Sequence, residues 1–113
     1  MSVSTTSIYM SFDTCRVLGF AAIAAGYTAI GTPSDNEGRS LIIQNLTDAT
    51  LWFSDDGVNN KFPLVAGASS VIDLSANQSY TRGFFWPIGA TLYVKQLGVP
   101  TTGNVYFTII YGN

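Results

Sequence analysis

"RSLIIQNLTDATLWFSDDG", residues 39–57, holds two short runs of strand chemistry and two turn signals. Residues 39–46 are rich in aliphatic and β-branched side chains. Residues 50–54 alternate, with Leu51 and Phe53 on one side and Thr50, Trp52 and Ser54 on the other. "TDA" (47–49) between the runs predicts a tight connection and a hairpin-like pair. "SDDG" (54–57) reads as a turn, because aspartate bonds its own backbone locally and Gly57 takes positive φ cheaply. The same grammar continues on both sides. "GYTAIG" (26–31) precedes the loop "TPSDNEG" (32–38), and "SSVIDLS" (69–75), "FFWPIG" (84–89), "ATLYVKQL" (90–97) and "NVYFTIIYG" (104–112) follow. Pro87 belongs at an edge or a strand end. Within 90–97, Leu92 and Val94 face one way and Tyr93 and Lys95 the other; in the last run Val105, Phe107, Ile109 and Tyr111 share a face. The Ala-rich "GFAAIAAG" (19–26) is bounded by glycines and reads as extended chain. Seven or eight short strands at this spacing predict an all-β fold, an antiparallel β-sandwich with the jelly roll as its variant.

Length and composition narrow the function. At 113 residues there is room for one domain and one modest core. The expected division is a polar, flexible N-terminal arm over 1–15, able to order against a neighbour, and a single sandwich domain over 16–113. Only 11% of residues are charged while 47% are hydrophobic. So few charges leave part of the surface apolar, which marks a contact surface and predicts a homo-oligomer or a larger assembly. Arg16, Arg39, Lys61, Arg82 and Lys95 stand singly in a chain of net charge −2, which argues against nucleic acid. The apolar run 17–31 is too short to span a bilayer and lacks the basic start of a signal peptide, so synthesis in the cytosol is expected. A single Cys15 permits no intrachain disulfide and fits a reducing compartment.

The chain has no histidine, which removes Ser-His-Asp and Cys-His devices and the usual zinc shells. Asp55 and Asp56, with Asn59 and Asn60, offer oxygen ligands to calcium but lack the alternate spacing and closing glutamate of an EF-hand loop; plain turn residues are the preferred reading. Asp48 with Asp73 is a generic carboxylate pair of the glycosidase kind. Asn45-Leu-Thr and Asn77-Gln-Ser match the glycosylation pattern and are set aside for want of a secretion signal. No cofactor, metal or catalytic residue is expected. Trp52, Tyr80, Trp86 and Tyr93 are the expected contact residues, since interface cores are rich in Trp and Tyr and poor in charge. The competing reading is an aromatic platform for sugar.

From about Val17 onward the layout resembles that of small virion structural proteins of tailed bacteriophages. The motifs are an "I-x-N-x-T-D" strand end at Ile43–Asp48, the "S-x-D-G" turn at Ser54–Gly57, "A-G-x-S" then "x-D-L" across 66–74, and "P-x-x-G-x-V-Y" at Pro100–Tyr106. "IGATLYVK" departs from the "G-T-x-Y-V-K" strand by an alanine between Gly89 and Thr91. The resemblance implies a non-enzymatic capsid decoration (cement) protein, made in the host bacterium and carried on the virion. Its implied partners are the major capsid protein and copies of itself, a trimer being the preferred count. A head–tail or tail adaptor is the alternative in the same class, and a carbohydrate-binding module for host attachment is the alternative from another.

Overall fold

The computed structural model of the chain describes residues 10–74 and 85–112. Nine strands occur among them: β1 (Met10–Phe12), β2 (Arg16–Gly19), β3 (Thr28–Ala29), β4 (Gly38–Asn45), β5 (Leu51–Ser54), β6 (Phe62–Leu64), β7 (Ser69–Asp73), β8 (Tyr93–Gln96) and β9 (Asn104–Gly112). They form two antiparallel sheets, as expected of a sandwich. The large sheet runs β1-β9-β4-β7 with β2 also on β9, and the small sheet runs β3-β8-β5-β6. Every connection from β2 onward crosses from one sheet to the other except β5 to β6, which is the connectivity of a jelly roll.

The core is the set of inward positions that alternation assigns. Leu41 and Ile43 of β4, Leu51 and Phe53 of β5, Val94 of β8, and Val105, Phe107 and Ile109 of β9 are buried between the sheets. Phe53 stacks on Phe62 with ring centroids 5.4 Å apart. Each such side chain contributes about 1.5–3 kcal/mol by leaving water.

Four expectations change. Residues 10–12 of the expected arm form β1, and β1 with β2 makes one edge strand along β9. Phe12 pairs with Ile110 but Arg16 pairs with Phe107, so three residues, Asp13 to Cys15, oppose two. That is a β-bulge. It turns Asp13 and Arg16 inward, where the Arg16 guanidinium donates to the carbonyls of Thr14 (2.6 Å), Thr32 (2.6 Å) and Pro33 (2.8 Å) and lies 3.5 Å from Asp13. A buried charge with this many partners ties the edge strand to the loop after β3.

β4 and β5 are not a hairpin but lie in different sheets. The corner between them is built on Asn45, which is fully buried. Its Nδ2 donates to the carbonyls of Ala49 (2.9 Å), Leu64 (2.9 Å) and Val65 (3.2 Å), and its Oδ1 accepts from the Thr47 amide (3.1 Å) and hydroxyl (2.6 Å). The "I-x-N-x-T-D" motif is therefore a corner brace. "GFAAIAAG" holds the end of β2 and a 3-10 turn at Phe20–Ala22 in place of a continuous strand. Of 84–89, the described part contributes a single bridge, Trp86 to Gly38, which continues the β4 edge beyond β7. Pro87 follows at that strand end, as its missing amide requires.

Candidate contact surfaces

Side chains paired across neighbouring strands point to the same side of a sheet, so register assigns each outer face. On the small sheet, Lys95, Trp52 and Pro63 form one row across β8, β5 and β6, with Tyr27, the residue before β3, beside Lys95; Ala29, Tyr93 and Ser54 form the next. Lys95 Nζ sits 4.9 Å from the Tyr27 ring centroid, a cation–π contact. Trp52 and Tyr93 thus share this face, both half-buried, as their alternation requires.

The other two expected contact residues are elsewhere. Trp86 is 9% exposed and packs edge-to-face with Phe107, centroids 5.4 Å apart at 76°, so it belongs to the core of the single chain. Gly38 beside it makes this close approach workable, because a Cβ there would fall 2.7 Å from Ile109 and 3.0 Å from Trp86. Tyr80 lies outside the described residues.

The acidic turn joins β5 to β6, as the turn reading requires. Asp56 Oδ1 accepts from the Ser54 hydroxyl (2.7 Å) and the amides of Val58 (2.8 Å) and Asn59 (2.9 Å), while Oδ2 accepts from Asn59 Nδ2 (2.9 Å). These bonds, that from Ser54 first, hold the Asp56 carboxyl well below the usual carboxylate range. Lys61 Nζ lies 3.5 Å from Asp55 and 3.7 Å from Asp56. The Tyr27 hydroxyl donates to Asn60 Oδ1 at 2.7 Å; burial, and then the negative Asp56, push that hydroxyl above its ordinary value of 10. Gly57 adopts φ +73°, and the Tyr93 ring covers it. The carboxylates here are engaged in closing their own turn.

Asp48 and Asp73 do not meet. Asp48 accepts from the Thr101 hydroxyl, the Thr101 amide (2.7 Å) and the Thr102 amide (3.3 Å) at the corner end of β4, which lowers its pKa. Asp73 pairs with Ser40, five residues from Asn45 along β4 and therefore about 17 Å away. Glycosidase carboxyl groups stand about 5–9.5 Å apart.

The second face is one that sequence reasoning missed. On the outside of the large sheet the central row is Thr108, Ile42 and Val71, with Cys15 beside Thr108, whose Oγ1 reaches the Cys15 Sγ at 3.5 Å. To one side lie Phe12, Ile110, Ser40 and Asp73, and to the other Val17, Tyr106, Gln44 and Ser69. Met10, Phe12 and Val71 are 63%, 58% and 69% exposed. In these three rows Asp73 is the one formal charge, and it stands at a corner. The signal was present in the runs Leu41-Ile42-Ile43 and Ile109-Ile110. Apolar residues at both parities mark strands that are apolar on both faces, unlike the strict alternation of a half-wet sheet.

No protein-family model matches the chain, and no curated protein matches it. Among solved structures, the chain is similar to one described by the words "Bacillus endospore appendages form a novel family of disulfide-linked pili", with 16% identity and a TM-score of 0.48 over 99% of this chain and 96% of that one.

Proposed function

We propose that this protein is a non-enzymatic structural subunit that works by packing its large sheet against other proteins, with decoration of a tailed-phage head as its specific role. The observation that carries the reading is the outer face of the large sheet. It carries exposed Met10, Phe12 and Val71 and a single carboxylate at its corner. Leaving such a face in water is unfavourable, and covering it drives association. A chain without histidine, whose Asp13, Asp48 and Asp56 carboxylates are held by hydrogen bonds of their own, agrees with a role free of proton transfer. Contacts repeated by the symmetry of a shell gain strength from effective concentration.

Immunogold labelling of purified phage particles tests this reading. Label spread over the whole head is the expected result. Label at a single vertex moves the protein to the adaptor role, and its absence from particles overturns the proposal. The sugar-binding alternative is favoured by one arrangement, the Lys95, Trp52 and Pro63 row on the small sheet with Tyr27 beside it, since such rows stack on pyranose rings. A glycan array with wild type and Trp52→Ala decides it: a signal lost in the variant supports sugar binding, and a blank array removes it.

A further inference from the structure

We infer that the covering partner of the large sheet is a second copy of this chain, packed back to back about a two-fold axis that lies in the interface and runs across the strands along the Cys15–Thr108–Ile42–Val71 row. This rests on the reading of that face as a contact surface. A two-fold interface must be complementary to itself, and the register permits that to be checked position by position.

Rotation about such an axis keeps each strand facing its own copy and exchanges the two flanking rows. Phe12 then faces Val17 of the second copy, and Ile110 faces Tyr106, apolar against apolar. Ser40 faces Gln44, polar against polar. Asp73 faces the hydroxyl of Ser69, again polar against polar, and exposed Met10 comes over Gly19, where the surface recedes. On the axis Ile42 and Val71 meet themselves. The other two-fold, with its axis along the strands, sets Ile110 on Ser40, Val17 on Ser69 and Tyr106 on Gln44, apolar or aromatic against polar throughout, and is disfavoured by that mismatch.

Size agrees. Ten residues from Met10 to Gly19, nine in β9, eight in β4 and five in β7, each covering about 3.4 Å by 4.8 Å, give about 500 Å² of sheet per copy, or about 1,000 Å² for the pair. Specific interfaces begin at that value. Two sheets packed face to face lie about 10 Å apart with strands within about 30° of each other, so the pair forms a four-layered sandwich. Closure at two copies distinguishes this arrangement from the trimer that the family resemblance favours.

The test uses charge at position 71, which is exposed in the single chain and so tolerates substitution without unfolding. Light scattering after size exclusion should give a dimer for the wild type. Val71→Asp and Val71→Lys should each be monomeric, their dimer dissociation constants raised at least about 100-fold by the facing like charges. Mixing the two variants should restore a dimer containing one of each, because position 71 faces position 71. Circular dichroism of each variant should match the wild type. A thiol-to-thiol reagent about 10 Å long should join Cys15 to Cys15 in the wild-type dimer. A monomeric wild type, a Val71→Asp dimer, or variants that fail to combine overturns the inference. Binding to phage particles is measured in parallel. A monomer that still labels particles, and loses that binding with Val71→Asp, leaves the structural-subunit reading standing with a different partner. Failure of both assays removes both.

Discussion

Replacing Asn45 tests whether the β4–β5 corner is held as described. Asn45→Ala removes the amide that donates to three carbonyls and the oxygen that accepts from Thr47. The losses are unequal. Ala49 O keeps the Thr47 hydroxyl at 3.1 Å, and Val65 O keeps the Ala68 amide at 3.0 Å. The Thr47 amide and the Leu64 carbonyl lose the side-chain partner, in a place where Asn45 itself was fully buried. Stranding a buried polar group costs about 1–3 kcal/mol, so the expected loss is about 3–5 kcal/mol. Against a total stability of about 5–15 kcal/mol that is a large fraction. It corresponds to a fall of about 10–20 °C in Tm. Asn45→Asp keeps the shape but turns an acceptor toward the same carbonyls. At neutral pH it should be at least as damaging as alanine. The introduced carboxyl is favoured in its protonated form by the fold, so its folded pKa is raised, and stability is present at low pH and lost as pH rises through that value. Urea denaturation followed by tryptophan fluorescence, at pH 4 and pH 7, reads all three proteins. An Asn45→Ala variant within about 1 kcal/mol of wild type refutes the corner-brace account.

Gly103→Ala should prevent folding or cost more than about 3 kcal/mol, since φ is +91° and a Cβ would overlap the Leu46 carbonyl oxygen far inside van der Waals contact; circular dichroism and soluble yield report it. Asp13 provides the pH dependence. Burial opposes its charge, but amides of Thr14 and Asp35 together with Arg16 outweigh that and lower its pKa below 3.8. Its contribution is therefore complete above pH 3.8 and lost as pH falls through the folded value; Asp13→Asn should cost about 2 kcal/mol at pH 7 and flatten the acid limb of a stability–pH profile. Trp86 Nε1 is buried with no hydrogen-bond partner among the described residues. Trp86→Phe, which removes that stranded N–H along with some area, should cost less than about 1.5 kcal/mol, against about 3–5 for Trp86→Ala, both read from thermal melts.

What the sequence disclosed follows from which interactions are local. The alternation in 90–97 and 104–112 is a period-two signal, and Leu92, Val94, Val105, Phe107 and Ile109 are buried as it requires. The Ser54–Gly57 turn closes on itself through Asp56, so its residues were sufficient to read it. Partner choice between sheets is not local. "TDA" looked like a hairpin because the groups that bend it away, the Leu64 and Val65 carbonyls, arrive from 19 and 20 residues later. Trp86 was placed at a surface for its residue type, whereas its burial is set by Gly38 and Phe107, both distant in sequence. That the apolar outer face belongs to Ile42 and Ile110 is not legible locally, because they suit a strand at either parity and only the pairing with β9 and β4 shows which side each serves. Arg16 read as an isolated basic residue because nothing adjacent discloses the Thr32 and Pro33 carbonyls that hold it.

The latest strand in chain order, β9, is also an interior strand of the large sheet, flanked by β1 and β2 on one side and β4 on the other. During synthesis β2 and β4 have no common neighbour until residues 104–112 emerge. Until then Ile42, Val17 and Phe12 flank an open slot with unpaired backbone, a template for any passing strand. Closing it joins residues about a hundred positions apart, the kind of pairing that slows folding. A ribosome halted before residue 104 would release a product that cannot seal itself and is destined for proteolysis or clumping.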